Sequence, residues 1–323
     1  MPFTAAIVGS GIALPAHAVT NEELSKTVDT SDEWITERTG IRQRYVAAEG
    51  QYTSDLAAEA ARNAIADAGL ESGDIDLIIV ATATPDLTFP ATAAIVQAKL
   101  GVKQGAAFDV NAVCTGFVYA LSIAEKFLIS GQNKTAVIIG AETFSRILDW
   151  EDRRTCVLFG DGAGAFVMTR KTVEEAGDRT IKASHLRCDG SMVDLLYTDG
   201  GVSTTGKAGH VKMEGNKVFR EAVDRISGAM VETAKIADIA LSEVDWFVPH
   251  QANQRIIGGV VRKLGIDGDK VVATIGQHGN TSAASIPLAF HTARDDGRIK
   301  KGDLIMIEGM GGGLTWGAAL FRF

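Results

Sequence analysis

Three short segments hold side chains whose types and setting suit acyl transfer. Cys114 lies in Asn111-Ala112-Val113-Cys114-Thr115-Gly116-Phe117, between an apolar run and a small-residue stretch, 118–129, that reads as a helix. A thiol at a helix N-terminus meets unpaired backbone N–H groups and the positive end of the helix dipole. Both favour the thiolate, an activated nucleophile for acyl transfer. His250 follows the apolar run 244–248 and is expected to project from the carboxyl end of a strand, where side chains point into clefts. Asn280 sits in His278-Gly279-Asn280-Thr281-Ser282, a segment that also reads as a helix cap. The glycines from Gly309 to Gly313 follow another apolar run. They would permit a tight turn, or let a backbone N–H approach an oxyanion. No Lys-Ser or Lys-Thr follows them, so a phosphate loop fits poorly. Cys156 reads as part of a buried apolar strand over 155–159, and Cys188, before Asp189-Gly190, as a turn residue. No metal-ligand spacing appears among the six histidines.

The elements that must bring these groups together repeat along the chain. Asp74-Ile75-Asp76-Leu77-Ile78 resembles Glu243-Val244-Asp245-Trp246-Phe247, an offset of 245 − 76 = 169. The same offset carries Asn111 onto Asn280, Cys114 onto Ala283, and Ile138-Ile139-Gly140 onto Ile307-Glu308-Gly309. A constant register predicts two copies of one α/β unit, each reading helix, buried strand, loop, strand, small-residue helix, buried strand. The continuous apolar runs predict a mostly parallel sheet covered on both faces. The copies are assigned to 1–170, with the cysteine, and 171–323, with the histidine and asparagine. The charged segment 171–179 forms the boundary. The strand-end loops of such a pair converge on one cleft, so His250 and Asn280 are expected to face Cys114. Residues 47–54 and the glycine-rich 199–210 read as loops, the latter over the surface or a substrate channel.

The chain has 323 residues, 46% hydrophobic and 22% charged, an ordinary soluble globular balance. Three unpaired-looking cysteines point to a reducing compartment, no apolar run approaches a membrane span, and the N-terminal residues lack a signal peptide's basic flank. Cytoplasmic location is the expectation. A net charge of −8 disfavours nucleic-acid binding. It also makes any acidic partner depend on a local basic patch. Arg255, Arg262 and Lys263 offer one, the alternative being a solvated helix face.

Taken in order, the segments resemble the β-ketoacyl-acyl-carrier-protein synthase III family over essentially the whole chain. Beyond those quoted, the resemblance is carried by Ser31-Asp32-Glu33-Trp34-Ile35 with Arg38-Thr39-Gly40-Ile41, Phe89-Pro90-Ala91-Thr92, and Phe159-Gly160-Asp161-Gly162-Ala163-Gly164. It continues through Met213-Glu214-Gly215-Asn216, His250-Gln251-Ala252-Asn253 and Gly311-Gly312-Gly313-Leu314-Thr315-Trp316-Gly317. The resemblance implies a thiolase-like fold, two α/β halves in five α/β/α/β/α layers, and a homodimer. It implies that Cys114 accepts an acyl group from a short acyl-coenzyme A, with acetyl-coenzyme A the expected primer. Condensation with malonyl-acyl-carrier protein then starts fatty acid synthesis, with no permanently bound cofactor. His250 and Asn280 complete the triad, and the N–H groups of Cys114 and Gly312 serve the oxyanion. Trp34, Arg38 and Arg153 contact coenzyme A, Asn216 and Asn253 line its channel, and Phe89 reaches an acyl pocket across the dimer. Arg255, with Arg262 and Lys263, docks the carrier protein. Arg154 and Cys156, flanking Arg153, depart from the family pattern. A condensing enzyme of secondary metabolism would share the triad and differ in its acyl pocket. A biosynthetic thiolase would want a second cysteine late in the chain, where none follows Cys188. A non-catalytic thioester-binding relative would be expected to lose a triad member.

Overall fold

The computed structural model describes residues 3–323. Its major strands are β1 (Phe3–Ala13), β2 (Leu77–Ala81), β3 (Ala106–Val110), β4 (Thr135–Glu142), β5 (Gly162–Thr172), β6 (Ile181–Cys188), β7 (Trp246–Pro249), β8 (Leu304–Gly311) and β9 (Thr315–Arg322). The helices that pack on them are α1 (Asp32–Thr39), α2 (Thr53–Asp67), α3 (Thr92–Leu100), α4 (Gly116–Ile129), α5 (Gly215–Ala237), α6 (Gln254–Leu264) and α7 (Ser285–Asp295). Two sheets result, ordered β1-β5-β4-β2-β3 and β7-β8-β9-β6.

Strand periodicity sorts the apolar side chains into layers. Ile78, Val80, Val137 and Ile139 face the alanine-rich α2 and α3. Their alternates Leu77, Ile79, Ala136 and Ile138 face α4 and α7. Those two helices also receive Ile305, Ile307, Ala319 and Phe321 from the second sheet, and Phe117, Phe166, Phe290 and Phe321 meet edge to face in this middle layer. The other face of the second sheet, with Met306, Ala318 and Leu320, packs on α5 and on Val260 of α6. The five layers α/β/α/β/α thus follow from which alternate residues are apolar. Gly9 and Gly11 let β1 lie directly on α2: a Cβ on Gly11 would stand 2.3 Å from the Ala64 nitrogen.

The 169-residue offset extends to hydrogen bonds. The Asp76 carboxylate accepts the Thr135 N–H at 3.0 Å, and Asp245 accepts the Leu304 N–H at 2.8 Å. Val113 and Ser282, one offset apart, both have φ of 49°. Three expectations change. The sheets are mixed: β2 pairs parallel with β3 and β4, and β7 with β8, but the other four pairings are antiparallel. Burial on both faces makes a strand apolar throughout whatever its direction, so the pattern could not distinguish the two. The second half lacks a counterpart of β3 and keeps only a bridge between Phe247 and Val271. Residues 155–158 form turns, not a strand, although Cys156 is buried as expected.

Candidate active site

Cys114 occupies a single 3-10 turn, Val113–Thr115, between β3 and α4. The φ of 49° at Val113 is strained for a β-branched residue and throws the following side chain inward. Thr115 Oγ1 donates to the Thr315 carbonyl at 2.9 Å, and Thr315 Oγ1 donates to the Ala112 carbonyl at 3.0 Å. The turn is thereby pinned to the β8–β9 hairpin. A Cβ on Gly311 would stand 2.7 Å from the Cys114 nitrogen, so only glycine lets that hairpin approach so closely. Next to it, the Gly312 N–H makes no hydrogen bond among the described residues.

His250 directly follows β7, and its N–H donates to the Glu308 carbonyl at 2.8 Å. Its Nδ1 lies 2.6 Å from Ser285 Oγ, which also accepts the Gln251 N–H at 3.2 Å. Among the described residues the Ser285 hydroxyl proton has no other acceptor, so it points at Nδ1. The Nε2 position then carries the ring proton. Burial alone pushes His250 down to about 3, so the ring is neutral. Asn280 combines both readings of its sequence. Its Oδ1 caps the next turn by accepting the Ser282 N–H at 2.9 Å, which leaves the NH2 end for the cavity that Asn280 lines.

A cavity of about 420 Å³ brings Cys114, His250 and Asn280 together, with Asn216 and Asn253 along it and Trp34, Arg38, Arg153 and Arg255 also on its walls. Its sides are apolar, from Val218, Phe219, Ala222 and Ile226 of α5, Ile256 and Ile257 of α6, and Leu196 and Met213 at the base of the 199–210 loop. Caps set these residues. Ser31 accepts the Trp34 N–H at the start of α1, and Asn253 accepts the Arg255 N–H at the start of α6. The Arg38 and Arg153 guanidiniums lie 4.6 and 5.2 Å from the Trp34 ring centroid, and Arg153 also reaches Asp29. This array of two cations on an indole suits an anionic aromatic ligand. Arg255 stands over Phe219. Arg262 and Lys263 do not line the cavity. They lie two turns further along α6, and Lys263 pairs with Asp224. Neither Gly312 nor Phe89 lines the cavity, and Phe89 is 84% exposed.

Burial reverses one expectation. It pushes the Cys114 thiol from 9.0 up to about 12, against the Ser282 hydroxyl and its own N–H, which favour the thiolate. A helix end contributes about 0.3–2 kcal/mol. The displacement from 9.0 to about 12 corresponds to roughly 4 kcal/mol. Desolvation wins, and the resting residue is a neutral thiol beside a neutral imidazole. Sequence reasoning also passed over two buried acids. Glu142, at the end of β4, accepts from Ser282 Oγ, Thr84 Oγ1 and the Ala83 N–H and is pushed up to about 7 by burial. Glu308 lines the cavity. Each is the one charged residue in a largely apolar, fully buried strand, a signal the sequence did contain.

The site can be set beside known proteins. Residues 108–190 match the model for 3-oxoacyl-[acyl-carrier-protein] synthase III, and residues 234–323 match the model for its C-terminal part. The chain is 57% identical over 323 residues to the β-ketoacyl-[acyl-carrier-protein] synthase III of Rhodospirillum centenum, covering 100% of both chains. It is 59% identical to that of Paramagnetospirillum magneticum, covering 98% of both. Among solved structures, the Aquifex aeolicus 3-oxoacyl-[acyl-carrier-protein] synthase III superposes with a TM-score of 0.93 at 46% identity, covering 99% of this chain and 100% of that one. The priming β-ketosynthase of the R1128 polyketide pathway superposes equally well, 0.93, at 31% identity, covering 99% and 96%.

Proposed function

This chain belongs to the 3-oxoacyl-[acyl-carrier-protein] synthase III family, and on that premise we propose that it condenses a short acyl-coenzyme A with malonyl-acyl-carrier protein through an acyl-Cys114 intermediate. The products are a β-ketoacyl-carrier protein, coenzyme A and carbon dioxide, and the reaction initiates fatty acid synthesis. The observation that carries the reading is the convergence of Cys114, His250 and Asn280 on one cavity whose walls also hold Trp34, Arg38 and Arg153.

In the first half-reaction the Cys114 sulfur bonds to the acyl carbon and the bond to the coenzyme A sulfur breaks. The thiol proton leaves with coenzyme A. Because both Cys114 and His250 are neutral at rest, proton transfer accompanies attack. The N–H groups of Cys114 and Gly312 receive the oxyanion. Malonyl-carrier protein then enters. His250 Nε2–H and the Asn280 NH2 donate to its thioester carbonyl as carbon dioxide departs, holding the electron pair as an enolate. The enolate carbon bonds to the acyl carbon, and Cys114 leaves as thiolate and is reprotonated. A neutral donor pair is suited to this step, because decarboxylation makes the carbanion without a base. The reaction needs no resident cofactor.

Three assignments accompany this reading. The chain divides into two halves near 170/171, although β5 of the first sheet runs on to Thr172 and so crosses that boundary. It works in the cytoplasm as a homodimer that buries Phe89 and Leu87, which are 84% and 53% exposed in one chain. The carrier protein docks at Arg255, with Arg262 and Lys263 extending the patch. The R1128 likeness supports a second reading, a primer enzyme of secondary metabolism with the same steps. The 57–59% identical relatives favour the first.

Incubation with acetyl-coenzyme A followed by intact and peptide mass spectrometry tests the reading. One acetyl group is expected on Cys114, and none on the Cys114→Ala protein. An adduct on the variant, or none on the wild type with any acyl-coenzyme A, overturns the intermediate.

A further inference from the structure

The cavity contains one acid that the two half-reactions do not use. Glu308 is the fifth residue of β8, on the strand face shared by Met306 and Met310, and its side chain forms part of the cavity wall with Cys114, His250 and Asn280. It is 4% exposed. Its Oε2 is fully enclosed with no hydrogen-bond partner among the described residues. Its own carbonyl receives the His250 N–H, which ties the two chain segments at the cavity, while the His250 Cβ lies over the next residue, Gly309. An acid buried this way without partners costs stability, and in a native site that cost calls for a role.

Building on the two-step reading above, we propose that the Glu308 side chain, held as a neutral acid, receives the malonyl carboxylate in the second half-reaction and excludes it once ionised. The primer presents no carboxylate and is indifferent to the charge at this position. A neutral acid can donate one hydrogen bond to the entering carboxylate, whereas an arginine would hold it as an ion pair and oppose loss of carbon dioxide. Glu308 keeps its proton throughout. The malonyl carbon–carbon bond breaks, its electrons pass to the enolate facing His250 and Asn280, and carbon dioxide leaves from beside Glu308.

The surroundings support this protonation state. Burial pushes Glu308 up to about 8, and no charged group offsets it. On the packed elements, the titratable groups of the cavity are Cys114 before α4 and His250 after β7, both neutral. The α5 residues facing the sheet, Ala222, Ile226, Met230 and Thr233, carry no charge, nor do Ala318 and Leu320 of β9. The cavity cations, Arg38, Arg153, Arg154 and Arg255, belong to the segments flanking its apolar walls.

The test measures the half-reactions separately between pH 6.5 and 9. Acetyl transfer to Cys114 is followed by mass, and release of labelled carbon dioxide from malonyl-carrier protein reports the second step. In the wild type, carbon dioxide release is expected to fall about tenfold per pH unit above about 8, on a limb that acetyl transfer lacks. Glu308→Gln, neutral at every pH, should release carbon dioxide at pH 7 within about fivefold of wild type and lose that alkaline limb, while Glu308→Leu should raise KM for malonyl-carrier protein about tenfold or more without slowing acetyl transfer. An unchanged limb in Glu308→Gln, or equal losses in both half-reactions, overturns the proposal. The wild-type profile is a measurement independent of any variant's folding: no limb confined to the second step also overturns it. Failure of wild-type Cys114 to accept acetyl would instead overturn the underlying reading, and is distinguishable because it appears in the first half-reaction.

Discussion

At the scale of single residues, the proposed reaction divides labour between a nucleophile and a pair of donors. His250→Ala should still acquire an acetyl group on Cys114 but release carbon dioxide from malonyl-carrier protein ~10²–10³-fold more slowly, the usual loss for one oxyanion-type donor. Single-turnover assays separate the steps, and wild-type carbon dioxide release would remove His250 from the mechanism. Ser285 acts through His250 by pointing its hydroxyl at Nδ1. Ser285→Ala should therefore slow the malonyl step, with Ser285→Thr restoring it, and leave acetyl transfer less affected. Equal losses in both steps would assign Ser285 to structure alone. Cys114, His250 and Asn280 were legible because each lies at the end of an apolar run beside a small-residue or capping segment. The thiol's protonation was not legible. It is set by how completely other elements enclose the sulfur, and sequence spacing reports the helix end but not the enclosure. Glu308 was visible as a charge inside an apolar strand, yet repeat matching paired it with Ile139 and drew attention to the isoleucines instead.

At the scale of elements, α6 joins the cavity to the solvent. Its Asn253 cap fixes Arg255 on the cavity wall, while Arg262 and Lys263 lie two turns away. Arg255→Glu should weaken use of malonyl-carrier protein, chiefly through association rate, and spare acetyl transfer from acetyl-coenzyme A. The wild-type second step should also slow with salt, since screening shortens charge contacts to ~8 Å near physiological ionic strength. Equal losses in both steps would give Arg255 a structural role, and no loss would return the patch to a solvated face. The β1–α2 contact is a second test at this scale. Gly11→Ala places a methyl group against α2 backbone and should destabilise the protein by about 1–3 kcal/mol, read as a lower denaturation midpoint. An unchanged midpoint would mean that the contact relaxes freely. Strand existence was legible from apolar runs, but strand direction and the missing β3 counterpart were not, because pairing partners lie far apart in sequence.

At the scale of the whole molecule, buried titratable groups set the pH range of stability. His250 and His278 are held by burial down to about 3 and about 4, so the unfolded chain binds their protons first and stability falls as pH drops below 6.5. Glu142 and Glu308 are held up to about 7 and about 8, so the folded chain keeps protons the unfolded chain has released, and stability falls as pH rises from 4.5 towards 8. The two effects oppose each other between 4.5 and 6.5 and leave a plateau there. Glu308→Gln should raise the melting temperature relative to wild type at pH 8 and not at pH 4.5. The same difference at both values would show that the carboxyl is not held protonated.

The middle layer has a further consequence. Helices α4 and α7 come from opposite halves of the chain, yet each packs on both sheets, so each sheet shares one of its two faces with the other. The only covalent tie between the sheets crosses an exposed stretch that includes Gly177 and Asp178. Once the molecule has folded, that tie adds little to what the shared layer already holds. A protease nick there should leave two fragments that migrate together and still transfer acetyl to Cys114. Made separately, each fragment would present a bare apolar face to water and would need the other to become soluble.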